Sequence, residues 1–159
     1  MKTLLLIGVI LLTGHSHSQN WTQITDYSGS ARDDGTSFTI GNKAYCGTGR
    51  NVGFNMTSDF KAFDLGNESW SIISSLPAAA HRQYANSFVF NEKGYVFGGI
   101  NNLGNYLNEI WEYDPLNDTW SELMNMPDVS RSGASSFVIG YTAYIIGGKS
   151  DALLALTEV

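Results

Sequence analysis

The stretch Ser87-Phe88-Val89-Phe90-Asn91-Glu92-Lys93-Gly94-Tyr95-Val96-Phe97-Gly98-Gly99 decides how this chain is read. Two short aromatic and aliphatic runs flank a polar, turn-like break, and paired glycines close the second run. This is the pattern of two antiparallel strands with a tight exit. Working outward, a polar segment with Asn101, Asn102, Gly104 and Asn105 leads to Ile110-Trp111-Glu112-Tyr113, which ends at Asp114-Pro115. Thr119-Trp120-Ser121-Glu122-Leu123 then closes the unit. Four short strands within about fifty residues are expected, and no stretch beyond the amino-terminal leader shows a helical period.

The unit recurs. Trp21, Trp70 and Trp120 are 49 and 50 residues apart, whereas Arg32, Arg82 and Arg131 are 50 and 49 apart. Phe38, Phe88 and Phe137 keep that register, as do Tyr45, Tyr95 and Tyr144. A four-stranded sheet repeated at this period predicts an all-β propeller, in which each blade buries its faces against its neighbours. The expected organisation is a closing strand at 21–24, repeats at 31–79 and 80–129, and an incomplete repeat at 130–159. The repeated tyrosines are expected to fill the space between sheets, and Trp70 and Trp120 to supply apolar area there.

The first eighteen residues are set apart as a secretory signal peptide. Lys2 precedes the apolar run Leu4 to Leu12, and Ser16-His17-Ser18 places small residues before a cut between Ser18 and Gln19. The run is too short to span a bilayer, so the mature chain is expected to have no membrane span and to be secreted or periplasmic. Without Lys2 the mature chain carries 8 basic and 15 acidic side chains, a net charge of −7. That surface argues against nucleic acid. A single cysteine, Cys46, rules out an intramolecular disulfide, and His81 is the one histidine left after the leader. No metal site, cofactor or catalytic set is expected.

These residues resemble the kelch-repeat family, in the form of secreted bacterial propellers. The resemblance rests on Gly98-Gly99 and Gly147-Gly148, on Tyr113 with Trp120 seven residues later, and on Arg131-Ser132-Gly133-Ala134. Phe63-Asp64 with Trp70 repeats the Tyr113–Trp120 arrangement one unit earlier. The likeness covers essentially all of the mature chain, with one departure: Thr48-Gly49 stands where a glycine pair is expected. It implies a partial propeller of about two and a half four-stranded antiparallel blades, fewer than the four to eight of a closed ring. A truncated amino-terminal portion of a longer propeller is the favoured explanation. Self-association of two copies and an open arc are the alternatives.

The resemblance also implies a ligand-binding face, made by the loops joining blades and the loops between second and third strands. These loops carry Arg32, Arg82 and Arg131, and Arg50, Asn101, Asn102 and Lys149, which are the candidate binding residues. A ring of guanidinium groups could hold a carboxylate. A residue that recurs once per blade is more simply explained by the blade, through bonds to backbone carbonyls of the adjacent blade. Copper chemistry of the galactose oxidase kind would need more imidazoles than His81, so Cys46 is read as a small hydrophobe. The expected function is an exported, non-catalytic recognition module for a protein or glycan. The alternative is a sugar-processing enzyme such as a sialic acid mutarotase, with Asp33-Asp34 on the right face.

Overall fold

The computed structural model describes residues 22–127 and 129–151. The signal peptide expected at 1–18, its cut, Trp21 and residues 152–159 of the incomplete repeat lie outside the described residues. Strands β1 (Arg32–Asp33), β2 (Thr36–Ile40), β3 (Lys43–Gly47), β4 (Arg50–Asn51), β5 (Phe60–Asp64) and β6 (Ser69–Ile72) belong to the first unit. Strands β7 (Asn86–Phe90), β8 (Lys93–Phe97), β9 (Ile110–Asp114) and β10 (Thr119–Glu122) make the second, and β11 (Ser135–Ile139) and β12 (Thr142–Ile146) open the third. The sheets are β2-β3-β5-β6, β7-β8-β9-β10 and β11-β12, with β1-β4 a short side ribbon. Every pairing is antiparallel. These are the expected four-stranded blades, two complete and one begun. No helix of the described residues is long and apolar enough to cross a membrane.

Two-residue turns join the first strands of each blade, with positive φ at Gly41, Asn91 and Gly140. They set a register that pairs Phe38 with Tyr45, Phe88 with Tyr95 and Phe137 with Tyr144. Each pair stacks, with ring centroids 5.1, 4.8 and 5.2 Å apart. The Phe38–Tyr45 stack of the first blade packs against Ala85, Val96, Trp111 and Tyr113 of the second. Gly94 is required there, because a Cβ at that position would collide with the Phe38 ring. Phe97, Met126 and Ala134 form a smaller core between the second and third blades. Phe38 is 6 % exposed and Phe137 43 %, so the outer face of the third blade is uncovered among the described residues.

Hydrogen bonds repeat with the blades. Ser87 Oγ donates to the carbonyl of Ser37, and Ser136 Oγ to that of Ser87, both at 2.6 Å. Trp120 Nε1 donates to Ser74 O at 2.8 Å, and Trp70 Nε1 stands at 3.5 Å from Thr25 O. Thr25 thus occupies, against the first blade, the place that Ser74 occupies against the second. Thr22 to Ile24, read from sequence as part of a closing strand, belong to no strand among the described residues.

The departure at Thr48 has a backbone consequence. Gly98 and Gly147 have φ of +60° and +69°, and Thr48 takes +57° at the same register. The fold demands the left-handed conformation there, and a β-branched residue adopts it at a cost of about 1–2 kcal/mol. Thr48 is fully buried, and its hydroxyl has no hydrogen-bond partner among the described residues.

Candidate functional site

The repeated arginines begin the loop face, and their geometry follows from the glycine turns. Arg32, Arg82 and Arg131 each extend one Nη1 to the carbonyl of the residue sixteen positions on: Thr48 at 3.1 Å, Gly98 at 3.0 Å and Gly147 at 3.2 Å. The backbones of Arg82 and Arg131 reach the preceding blade. The Arg82 N–H donates to Thr57 O and the Arg131 N–H to Leu107 O, while their carbonyls accept from Gly49 and Gly99. The arginines are therefore blade staples. The sequence reading placed their side chains on carbonyls of the adjacent blade, but the guanidinium groups bind their own blade, and it is the backbones of Arg82 and Arg131 that span to the preceding one.

Arg32 and Arg82 also meet an acid at a shared register. Arg32 forms a two-pronged pair with Asp59 at 2.9 and 2.8 Å, and Arg82 lies 3.7 Å from Glu109. Burial would raise the Asp59 carboxyl, but the Arg32 guanidinium outweighs it and holds the group below its usual value. Arg82 is 0 % exposed, and burial depresses the affinity of its guanidinium for a proton. Arg82 and Arg131 are both buried, each with a guanidinium bonded to a backbone carbonyl of its own blade. Arg32 is committed to Asp59.

The loops between second and third strands share one design. The Oδ1 of Asn51 accepts from the Gly53 and Asn55 amides, and that of Asn101 from Leu103 and Asn105. Asn101 is thus a brace inside its loop. Asn102 Oδ1 accepts from Met56 N at 3.2 Å, linking the loops of neighbouring blades. The braced loops lift Val52 (79 % exposed), Phe54 (77 %) and Leu103 (83 %) into solvent. Arg50 pairs with Asp33 at 3.3 Å and lies 5.2 Å from the Phe54 ring centroid.

Nearer the strands, Asp34, Tyr84 and Gly133 occupy one register, with φ of +57°, +55° and +61°. They are stitched in series, since Tyr84 N donates to Asp34 O and Gly133 N to Tyr84 O, both at 3.0 Å. Tyr84 is held against strain of about 1–2 kcal/mol. A hydrogen bond to Asp34 and that carboxylate's charge raise its phenol above the ordinary value. A cleft of about 440 Å³ opens beside it, lined by Tyr84, Ile100, Tyr106, Ser132, Gly133 and Lys149. Of the residues expected to bind, Lys149 is the one in this cleft. Sequence reasoning missed Tyr84, Tyr106 and Ser132, because nothing in their identities repeats.

Cys46 lies away from this face. It lines a second cleft, of about 530 Å³, with Tyr27, Arg32, Gly47 and Trp70. It is half-buried at the register of Val96, and burial raises its thiol. No group of three or more His, Cys, Asp or Glu side chains suited to a metal ion occurs among the described residues.

The repeated staples, glycine turns and aromatic stacks agree with what comparison finds. The family model of the KLHDC2/KLHL20/DRC7 kelch-repeats domain matches residues 9–149. The chain belongs to the kelch-repeat family. Among solved structures, it is similar to YjhT, with 25 % identity and a TM-score of 0.67 over 80 % of this chain. The match covers 37 % of the YjhT chain, so this kelch chain spans well under half of that protein. No curated protein matches in sequence.

Proposed function

We propose that this kelch chain is an exported, non-catalytic recognition module that docks a protein partner on its loop face. The observation that carries the reading is the pair of asparagine-braced loops, which present Val52, Phe54 and Leu103 in solvent beside the half-exposed Tyr84. Apolar side chains on rigid loops lose little conformational entropy on binding, and aromatic anchors of this kind dominate interface energetics. Export rests on the leader at 1–18.

The sugar-processing alternative, a mutarotase-like activity, needs an acid or base poised near neutrality. The shifts resolved for tyrosines and carboxylates run the other way. Burial is the leading cause that raises Tyr45 and Tyr95, the latter to about 12, while the Asp34 contact raises Tyr84. Hydrogen bonds hold Glu112 and Asp118 low. Recognition is therefore the reading favoured.

The test is capture of a partner from the exported fraction by the immobilised full chain, identified by crosslinking at Phe54. A variant carrying Val52→Ser, Phe54→Ser and Leu103→Ser should keep its melting temperature and lose capture by at least about tenfold. Undiminished capture by that variant refutes docking on this face.

A further inference from the structure

We propose that the cleft between the second and third blades binds a carboxylate-bearing ligand, with Lys149 holding the carboxylate and Tyr84, Ile100 and Tyr106 packing against its body. Three observations converge. First, the cleft exists because the repeat is broken there. Gly133 stands where the other blades carry Asp34 and Tyr84, and a Cβ added at Gly133 would meet nothing within 4 Å. The missing side chain leaves room that a ligand can fill.

Second, the charge at this mouth is unspent. Arg50 and Lys149 follow the glycine turns of their blades at the same register. Arg50 pairs across strands with Asp33, and the two side chains form an ion pair. The residue across from Lys149 is Ser132, and no carboxylate lies within 4.0 Å of its ammonium among the described residues. The exchange of Asp33 for Ser132 removes the built-in counter-ion from a cleft that both Ser132 and Lys149 line, so an incoming carboxylate meets a cation without an acid already bound to it.

Third, the remaining wall is built from two aromatic residues and an aliphatic one. Tyr84 and Tyr106 are aromatic and Ile100 lies in the same lining. Tyr84 is fixed through its backbone bonds to Asp34 and Gly133, so it is a preorganised platform. The volume is within the range of small-ligand sites, about 300–1,000 Å³. The carboxylate could belong to a free organic acid or to an acidic side chain of a docked partner. The inference rests on the loop face being the binding surface, but it needs no protein partner to be tested.

The experiment is titration of the full chain, followed through the backbone amide NMR signals of Gly133 and Lys149. The probes are glucuronate against glucose, and N-acetyl-glutamate amide against N-acetyl-glutamine amide. At least one acid should shift both signals saturably, with its neutral counterpart about tenfold weaker or more. Lys149→Met should bring the acid down to the level of the neutral probe. Gly133→Asn, a residue that tolerates positive φ, should block the cleft while the melting temperature is retained. Phe54→Ser should leave acid binding unchanged.

Response to glucuronate alone identifies a free acid, and response to the glutamate probe alone identifies an acidic side chain; either supports the site. The proposal is overturned if neither acid shifts these signals, if the neutral probes bind equally, or if Lys149→Met binds as before. Loss of acid binding with partner capture still sensitive to Phe54 overturns this inference alone. The reverse pattern overturns the protein-docking reading alone.

Discussion

Replacing Arg82 with Met should cost the chain about 3–5 kcal/mol of stability, the usual penalty for removing one partner of a buried ion pair. The guanidinium is fully buried and donates to Ala80 O at 2.9 Å and Gly98 O at 3.0 Å, with Glu109 at 3.7 Å. Methionine fills most of the aliphatic volume, so the loss is one of polar satisfaction: two carbonyls lose their donor and Glu109 loses its counter-charge. Domains of this size are stable by about 5–15 kcal/mol, so a third or more of the total is at stake. In urea, with a slope of about 1–3 kcal/mol per molar, the midpoint should fall by well over 1 M. Arg50→Met, on the same face but only partly buried, is the control and should leave the midpoint in place. Arg82→Lys keeps the charge but lacks the planar fork and should fall between the two. An unchanged midpoint in Arg82→Met would refute the staple, and a loss of ligand binding at full stability would restore the arginine to the binding site.

Three further outcomes follow from the repeat geometry. Thr48→Gly should stabilise the chain by about 1 kcal/mol, since relief of left-handed strain and of a buried unpaired hydroxyl exceeds the entropy cost of glycine; a raised melting temperature checks it. Ser87→Ala should destabilise by about 1 kcal/mol through loss of the bond to Ser37 O, and hydrogen exchange should show first- and second-blade amides loosening together. Acid unfolding should weaken in Asp118→Asn. Burial would raise the Asp118 carboxyl, but the Ser74 amide and the Tyr113 hydroxyl hold it below its unfolded value. Its contribution is therefore complete above about pH 4–5 and lost as pH falls through the lower folded value, which a pH series of melting temperatures reads directly.

The strands, their turns and the inter-blade aromatics were legible because they answer to the period of the chain. Phe38 and Tyr45 recur at one spacing and face each other across one hairpin, so register alone predicts their contact. The arginine register was equally plain, but the direction of each side chain was not, since a loop residue carries no alternation from which to read a face. The serines 37, 87 and 136 also recur at 50 and 49 residues, as do Asp59 and Glu109. They could have been found, but small polar residues recur often enough by chance to hide the ladder they make. Asp34, Tyr84 and Gly133 were beyond reach, because what they share is a dihedral angle rather than an identity.

That difference locates function in a repeat fold. Residues that recur in every blade have work to do in every blade: the arginines staple backbones, the serines stitch inner strands, and the phenylalanine–tyrosine stacks fill the space between sheets. Their recurrence is explained by the packing, which leaves nothing over for a ligand. The sites proposed above accordingly lie where equivalent positions disagree. Two such sets on the loop face bear on the cleft. Asp34, Tyr84 and Gly133 share a backbone conformation that strains two of them, and Arg50, Ile100 and Lys149 follow the glycine turns with a paired cation, an apolar side chain and an unpaired cation. Strain at Tyr84 is not needed by the fold, since Gly133 meets the same backbone demand freely. Under the carboxylate site proposed above, the side chain that bears it is one that lines the cleft.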